Sequence, residues 1–276
     1  MTRKIFFTSI LILLVLIASG CNLPRRSQSS PTPDIVATQV ATILAAMPTT
    51  DLQASLTPQP ATPTTQATSS TPTPSTTPTV STDDPRSQLG EPTYRDTFKK
   101  AGLWGLDEPY DDGHTRIEIQ NNHLVLTSYS AEGWMGWRTT FAKSGNTYIE
   151  GSFSTGSCSG GDQYGLLFRS NEDTGGDFFA ITCDGRYSLS HFDGSQFSSL
   201  VNLKEAPAIH SGSNQTNRLG VWLEGNKIRL YVNGALLTET TDDQLSGQGN
   251  FGAFIAGLKT ANFSVSLSEF DYWELK

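Results

Sequence analysis

NRLGVWLEGNKIRLYVNGALLTETTDDQLSGQGNFG, residues 217–252, sets the class of fold. Leu219, Val221 and Leu223 alternate with Gly220, Trp222 and Glu224, and Ile228, Leu230 and Val232 alternate with Lys227, Arg229, Tyr231 and Asn233. A period of two with one apolar row marks strands that turn one face to a core. Gly225-Asn226 and Asn233-Gly234 separate the runs, and both are pairs that take the positive φ of a two-residue hairpin. The stretch predicts a meander of three antiparallel strands. A turn at Gly225-Asn226 sets Trp222 opposite Arg229 and Gly220 opposite Tyr231 on one face, with Val221, Leu223, Ile228 and Leu230 on the other. The aliphatic face belongs to the core. The face of Trp222, Arg229 and Tyr231 is either a ligand platform or a covered layer in which Arg229 stacks on Trp222.

The same texture runs outward from this stretch in both directions, beginning at Tyr94. Strands are expected at 115–119 and 123–128 across Asn121-Asn122, then at 136–141, 148–154, 164–169 and 178–183, and at 186–192 across Asp184-Gly185. After the meander come 252–256, 263–267 and a last strand ending near Leu275. No long segment of helical period intervenes, so the class is all-β, and so many short strands fit a two-sheet antiparallel sandwich.

Charge divides the chain. Residues 1–90 hold five Lys or Arg against four Asp or Glu, and residues 91–276 hold 14 against 23, giving +1 and −9. An acidic surface without a basic stripe repels phosphate backbones, which argues against nucleic acid as a partner.

Residues 1–20 open with Arg3 and Lys4 and continue through an apolar run from Ile5 to Ile17, the composition of a secretory signal peptide. The end of it, Leu16-Ile17-Ala18-Ser19-Gly20-Cys21, resembles the lipobox of bacterial lipoproteins, although Ala18 is smaller than the usual residue. The resemblance implies lipidation of Cys21, anchoring to the membrane and an extracytoplasmic, cell-envelope location; an ordinary signal peptide with an unrelated cysteine is the alternative. Residues 21–90 then form a Thr/Pro/Ser-rich linker too poor in apolar residues to fold, with a short amphipathic helix conceivable at 34–47. At a polyproline rise of about 3.1 Å per residue, its final forty or so residues would span up to roughly 120 Å. The folded domain is expected at 91–276.

With Cys21 assigned to the lipid, Cys158 and Cys183 remain as a pair in an oxidising compartment. A disulfide is expected, two free thiols being the alternative.

Several phrases now recur in a familiar order: Asp96-Thr97-Phe98, Gln163-Tyr164-Gly165-Leu166-Leu167-Phe168-Arg169, Asp184-Gly185-Arg186-Tyr187, Asn217-Arg218-Leu219, Leu230-Tyr231-Val232-Asn233-Gly234 and Glu269-Phe270-Asp271-Tyr272. Together they resemble the concanavalin A-like lectin and glucanase superfamily, near laminin G-like modules and bacterial 3-keto-disaccharide hydrolase domains. The resemblance implies a jelly-roll sandwich whose concave face holds a glycan. It also implies a structural Ca²⁺ on the closing strand, with the Asp271 carboxylate and backbone carbonyls around Asp96 as its ligands; a solvated or capped Asp271 is the alternative.

Glu269-Phe270-Asp271-Tyr272-Trp273-Glu274 spells E-x-D-x-x-E, similar to the catalytic strand of laminarinase-like hydrolases. Its place on the closing strand favours a structural role, because such motifs carry chemistry only in their structural context. Aromatic faces stack on sugar rings while polar groups bind their hydroxyls. Trp134 and Trp137, with Tyr129, Asp162, Gln163 and Arg169, form the candidate glycan groove; Arg169 could equally pair with Glu172 or Asp173. His114, His123, His191 and His210 look too scattered for a metal site or a catalytic triad. The expected function is a surface lipoprotein presenting a non-catalytic, carbohydrate-binding sandwich. A glycoside or 3-keto-disaccharide hydrolase on the same fold, and an adhesion or spacer module, are the alternatives.

Overall fold

The structure, a computed structural model, describes residues 84–171, 175–245 and 247–276. The signal peptide, Cys21, the segment 34–47 and the linker up to residue 83 lie outside the described residues.

Fifteen strands are present among the described residues: β1 (Tyr94–Asp96), β2 (Tyr110–Asp111), β3 (Thr115–Gln120), β4 (His123–Ser128), β5 (Met135–Ser144), β6 (Thr147–Thr155), β7 (Gln163–Asn171), β8 (Gly175–Thr182), β9 (Arg186–Phe192), β10 (Phe197–Glu205), β11 (Thr216–Glu224), β12 (Lys227–Val232), β13 (Ala235–Thr241), β14 (Gly249–Ala256) and β15 (Phe263–Glu274). They form two antiparallel sheets. The larger runs β13-β12-β11-β6-β15-β4-β3-β2, with β1 also on β15, and the smaller runs β10-β9-β8-β7-β14-β5. Neighbours in space come from distant parts of the chain, as in a jelly roll, and the two inner faces share one core.

The meander is the β11-β12-β13 edge of the larger sheet, ending at Thr241, and the last residues of the quoted stretch, 249–252, open β14 of the smaller sheet. Gly220 lies opposite Tyr231 and Trp222 opposite Arg229, as the two-residue turn requires. Val221, Ile228 and Leu230 are completely buried, and Leu223 is 1 % exposed. Asn233 and Gly234 both take positive φ, 52° and 83°, whereas in the other turn only Gly225 does, at 59°.

Two differences from the sequence reading bear on function. The segment 263–267 and the closing strand are one twelve-residue strand, β15, bulged between Leu267 and Glu269. The extra residue reverses the alternation, so Val265 and Leu267 face the core before the bulge and Glu269, Asp271 and Trp273 face outward after it. The strand β10 has no regular alternation to announce it; its register against β9 shifts twice. The disulfide between Cys158 and Cys183 is formed, with Cα atoms 5.6 Å apart. It ties the entry to β7 to the exit from β8, closing a 25-residue loop that contributes about 3 kcal/mol on the chain-entropy account.

The chain joins the sandwich earlier than expected. Residues 84–90, assigned above to the linker, form a strap on the outer face of the larger sheet. Pro85–Ser87 make a 3₁₀ turn capped by Asp84, and Leu89 packs against Tyr148, Tyr231 and Trp273.

Candidate functional site

The outer face of the smaller sheet carries a second apolar cluster, distinct from the core: Met135, Leu167, Phe178, Ala180, Phe192, Phe254 and Ala256. Strand register explains why they meet. Trp137, Phe254, Gly165, Ala180 and Ser188 form one row across β5, β14, β7, β8 and β9. Leu167, Phe178 and Ser190 lie in the next row to one side, and Met135, Ala256, Gln163 and Thr182 in the row to the other. Because side chains alternate, Phe179 and Ile181 go to the core while Phe178 and Ala180 stand on this face.

At the β10 end this face forms a cavity of about 360 Å³. Its floor is Met135, Phe178, Ala180 and Phe254, and its polar wall comes from Thr182, Arg186, Ser188, Ser190, Ser199 and Asn202. Trp137 is not among the lining residues but shares this face in the row of Phe254, 38 % exposed and edge-on to Phe178 with ring centroids 5.9 Å apart. Arg186 is held at the rim by Asp184, donating from Nε at 3.0 Å and Nη2 at 2.6 Å. That pair presents little net charge to a ligand. Among the described residues, no Asp or Glu lines the cavity.

Of the expected groove residues, Gln163 lines this cavity and Trp137 shares its face. The others do not join them. Trp134 stacks on His114 at 4.3 Å, and the Tyr129 hydroxyl donates to Asp111 at 2.6 Å, both at the loop between β4 and β5. Asp162 is a buried staple. Its Oδ1 accepts the backbone N–H groups of Leu258, Lys259 and Thr260, and its Oδ2 that of Ser159. Burial would raise its pKa, but hydrogen bonds to the charged form, from the Thr260 side chain first and then from the N–H groups of Ser159, Lys259 and Leu258, outweigh it and hold the carboxyl below its ordinary value. Arg169 is buried between the sheets, and its partner there is Asp177.

Trp222, Arg229 and Tyr231 belong to a covered layer on the opposite side of the molecule, not to a platform. Arg229, Trp222, Tyr148 and Trp273 form one row across the larger sheet. The Arg229 guanidinium lies 5.9 Å from the Trp222 ring and donates to Glu239 at 2.6 Å. The strap closes the layer, its Gly90 carbonyl accepting from Trp273 Nε1 at 2.8 Å. Beside this row runs a charged one: Gly220, Glu150, Asp271 and Arg95. Strap residue Arg86 reaches into it, pairing with Glu150, with Glu269 at 2.6 Å and with Asp271 at 3.5 Å, while Asp84 pairs with Arg218.

This arrangement bears on two motifs. In E-x-D-x-x-E, Glu269 and Asp271 share the outer face, but Glu274, three residues on, falls on the other. The nearby carboxylates are bound to arginines beneath the strap. At the place expected for calcium, the Asp271 carboxylate is held by arginines. Arg95 pairs with Asp271 and Asp96 with Phe270, so the Asp271 and Asp96 side chains leave opposite faces of the β1–β15 ladder. Asp271 receives Arg95 at 3.2 Å and Arg86, whereas Asp96 accepts from the Phe98 N–H at 2.8 Å. Burial, then repulsion from Glu269, outweigh the arginines and push Asp271 up to about 6.

The scattered histidines hid one buried group. His191 on β9 faces Asp177 on β8, and Asp242 closes in after β13. One ligand atom from each lies within 4.8 Å of the others, close enough to hold a metal ion. The three come from separate strands and a loop, with no spacing that a sequence motif would reveal.

No family model matches the chain, and no curated protein matches it. Among solved structures, a protein of unknown function with galectin-like fold from Bacillus subtilis aligns with a TM-score of 0.50 at 12 % identity, over 67 % of this chain and 96 % of that one. The beta-glucanase of Bacillus licheniformis aligns at 0.49 and 13 % identity, over 68 % and 100 %. Carbohydrate binding module CBM66 from Bacillus subtilis aligns at 0.41 and 16 % identity, over 66 % and 98 %. The likeness is one of fold: the domain is a concanavalin A-like jelly roll.

Proposed function

We propose that the sandwich is a non-catalytic carbohydrate-binding module, presented on the outside of a bacterial cell by a lipid on Cys21. The observation that carries the reading is the outer face of the smaller sheet, with its aromatic floor, hydroxyl-rich wall and half-exposed Trp137. Apolar rings stack on the C–H faces of a sugar, and serine, threonine, asparagine and glutamine side chains serve its hydroxyls. A cavity of about 360 Å³ is at the small end of the roughly 300–1,000 Å³ of ligand pockets, which suits a chain end or a short unit. The neutralised Arg186–Asp184 pair favours an uncharged sugar.

Most glycoside hydrolases use two carboxylates flanking one bond. Among the described residues none lines the cavity, and Glu269 and Asp271 lie on the far side of the other sheet, under the strap. This supports binding over turnover. The lipid anchor rests on the sequence before Cys21. The test is to pass residues 84–276 over a glycan array and assay every retained glycan for cleavage. Retention of uncharged glycans without cleavage is expected; cleavage would make the domain an enzyme, and no retention would leave it a spacer. For the anchor, the full chain should partition with membranes and Cys21→Ser should not.

A further inference from the structure

At the end of the sandwich beneath the Gly225 turn, four ionisable side chains are buried together between the sheets: Arg169 (5 % exposed), Asp177 (0 %), His191 (3 %) and Asp242 (2 %). His191 Nδ1 lies 3.0 Å from Asp177 Oδ1 and 3.9 Å from Asp242 Oδ2. The Asp242 carboxylate is fixed by the N–H groups of Gln244 and Leu245. Arg169 is fixed by its Nη2, which donates to the Gly225 carbonyl at 2.6 Å.

The group is short of one cation. Two carboxylates against one guanidinium leave a negative charge whenever the imidazole is neutral, in a place where uncompensated charge is costly. It is also short of one contact. Asp177 Oδ2 is buried and accepts no hydrogen bond, its nearest cation being Arg169 Nη1 at 3.7 Å. A divalent ion between the three ligands, with a hydroxide as its fourth, brings the group to neutrality, and bidentate coordination would include Oδ2.

The donor set selects the ion. Calcium takes six to eight oxygens, whereas one imidazole and two carboxylates form a nitrogen–oxygen set of the kind zinc takes, at bond lengths of about 2.0–2.2 Å. Tetrahedral bonds of that length place ligand atoms roughly 3.3 Å apart, between the 3.0 and 3.9 Å found here. We propose that Asp177, His191 and Asp242 bind a zinc-class divalent cation that ties the loop after β13 to the smaller sheet, with Arg169 as the charged neighbour that orients Asp177.

The test uses the full chain carrying Cys21→Ser in every arm, which removes the one thiol outside the disulfide. The protein is stripped with chelator and titrated in parallel with ZnCl₂ and CaCl₂, reading metal content after dialysis and melting temperature. One retained equivalent of zinc is expected, with a rise in melting temperature of about 5 °C or more; calcium should give neither. His191→Asn should lose both effects. Absence of retained zinc and of any shift in the parent chain overturns the proposal, as does an undiminished shift in His191→Asn. If that variant does not fold, Co²⁺ added to the parent decides: the intense visible absorption of a four-coordinate site supports the proposal, and only the weak spectrum of aqueous cobalt overturns it.

Discussion

Trp137 and Asp162 were both expected in the glycan groove, and they act in different ways. Trp137 stands 38 % exposed on the groove face, with no hydrogen bond to lose and Phe178 at its edge. Its replacement by alanine should leave the melting temperature within about 2 °C, since surface substitutions change stability by about 0.5 kcal/mol or less. Asp162 does the reverse. Its carboxylate gathers four backbone N–H groups that join the loop at 159–162 to the one at 258–260, so Asp162→Ala should cost about 2–4 kcal/mol, read from chemical denaturation. The pH dependence follows. A carboxyl held low in the folded state adds stability above its unfolded value near 3.9 and loses it as pH falls through the lower folded value. The wild-type advantage over Asp162→Ala should therefore be constant from about pH 5 upward and shrink below pH 4. Sequence shows that a residue is polar and near a loop; it does not show whether its oxygens are already taken.

The strap and the meander explain each other. Tyr148 reaches Glu150 with its hydroxyl at 2.6 Å by lying across Gly220, where an added Cβ would sit 2.2 Å from that oxygen. Gly220→Ala should therefore cost about 1–3 kcal/mol as an overpacked position, visible as a lower denaturation midpoint with an unchanged slope. Deleting residues 84–90 would uncover Trp273 and leave Glu150 and Asp271, 2 % and 0 % exposed, without Arg86. Arg86 is itself 36 % exposed, which limits the penalty to about 2–4 kcal/mol. A 91–276 fragment should melt lower than an 84–276 fragment, and equal melting temperatures would show the strap to be idle. At this scale the β11–β12 hairpin was legible down to its register, because strict alternation and a two-residue turn leave few choices, whereas the shift between β12 and β13 at Leu230–Tyr231 was not. The strap was not, for its Asp84-Pro85-Arg86 reads like the Thr/Pro-rich tract before it, and its partners lie 64 to 185 residues away. β10 escaped for a related reason, since its two register shifts break the period that marks a strand.

Across the whole molecule, the two outer faces have separate tasks. The larger sheet is closed by the strap and Arg86, and the smaller one is open and aromatic, with no Asp or Glu among the described residues that line its cavity. The all-β class and the sandwich could be read from short alternating segments and turn pairs. The open face could be read only in part: Trp137 and Gln163 belong to it, but Phe178, Phe254 and the wall of β9 and β10 meet them only through strand order. The buried Asp177–His191–Asp242 group was invisible for the same reason. The central claim is that sugars bind on the smaller sheet. It is tested most directly by calorimetric titration of residues 84–276 with a glycan retained on the array, comparing wild type with Trp137→Ala. The account predicts at least a tenfold weaker affinity for the variant, about 1.4 kcal/mol, at unchanged melting temperature; equal affinities would contradict it.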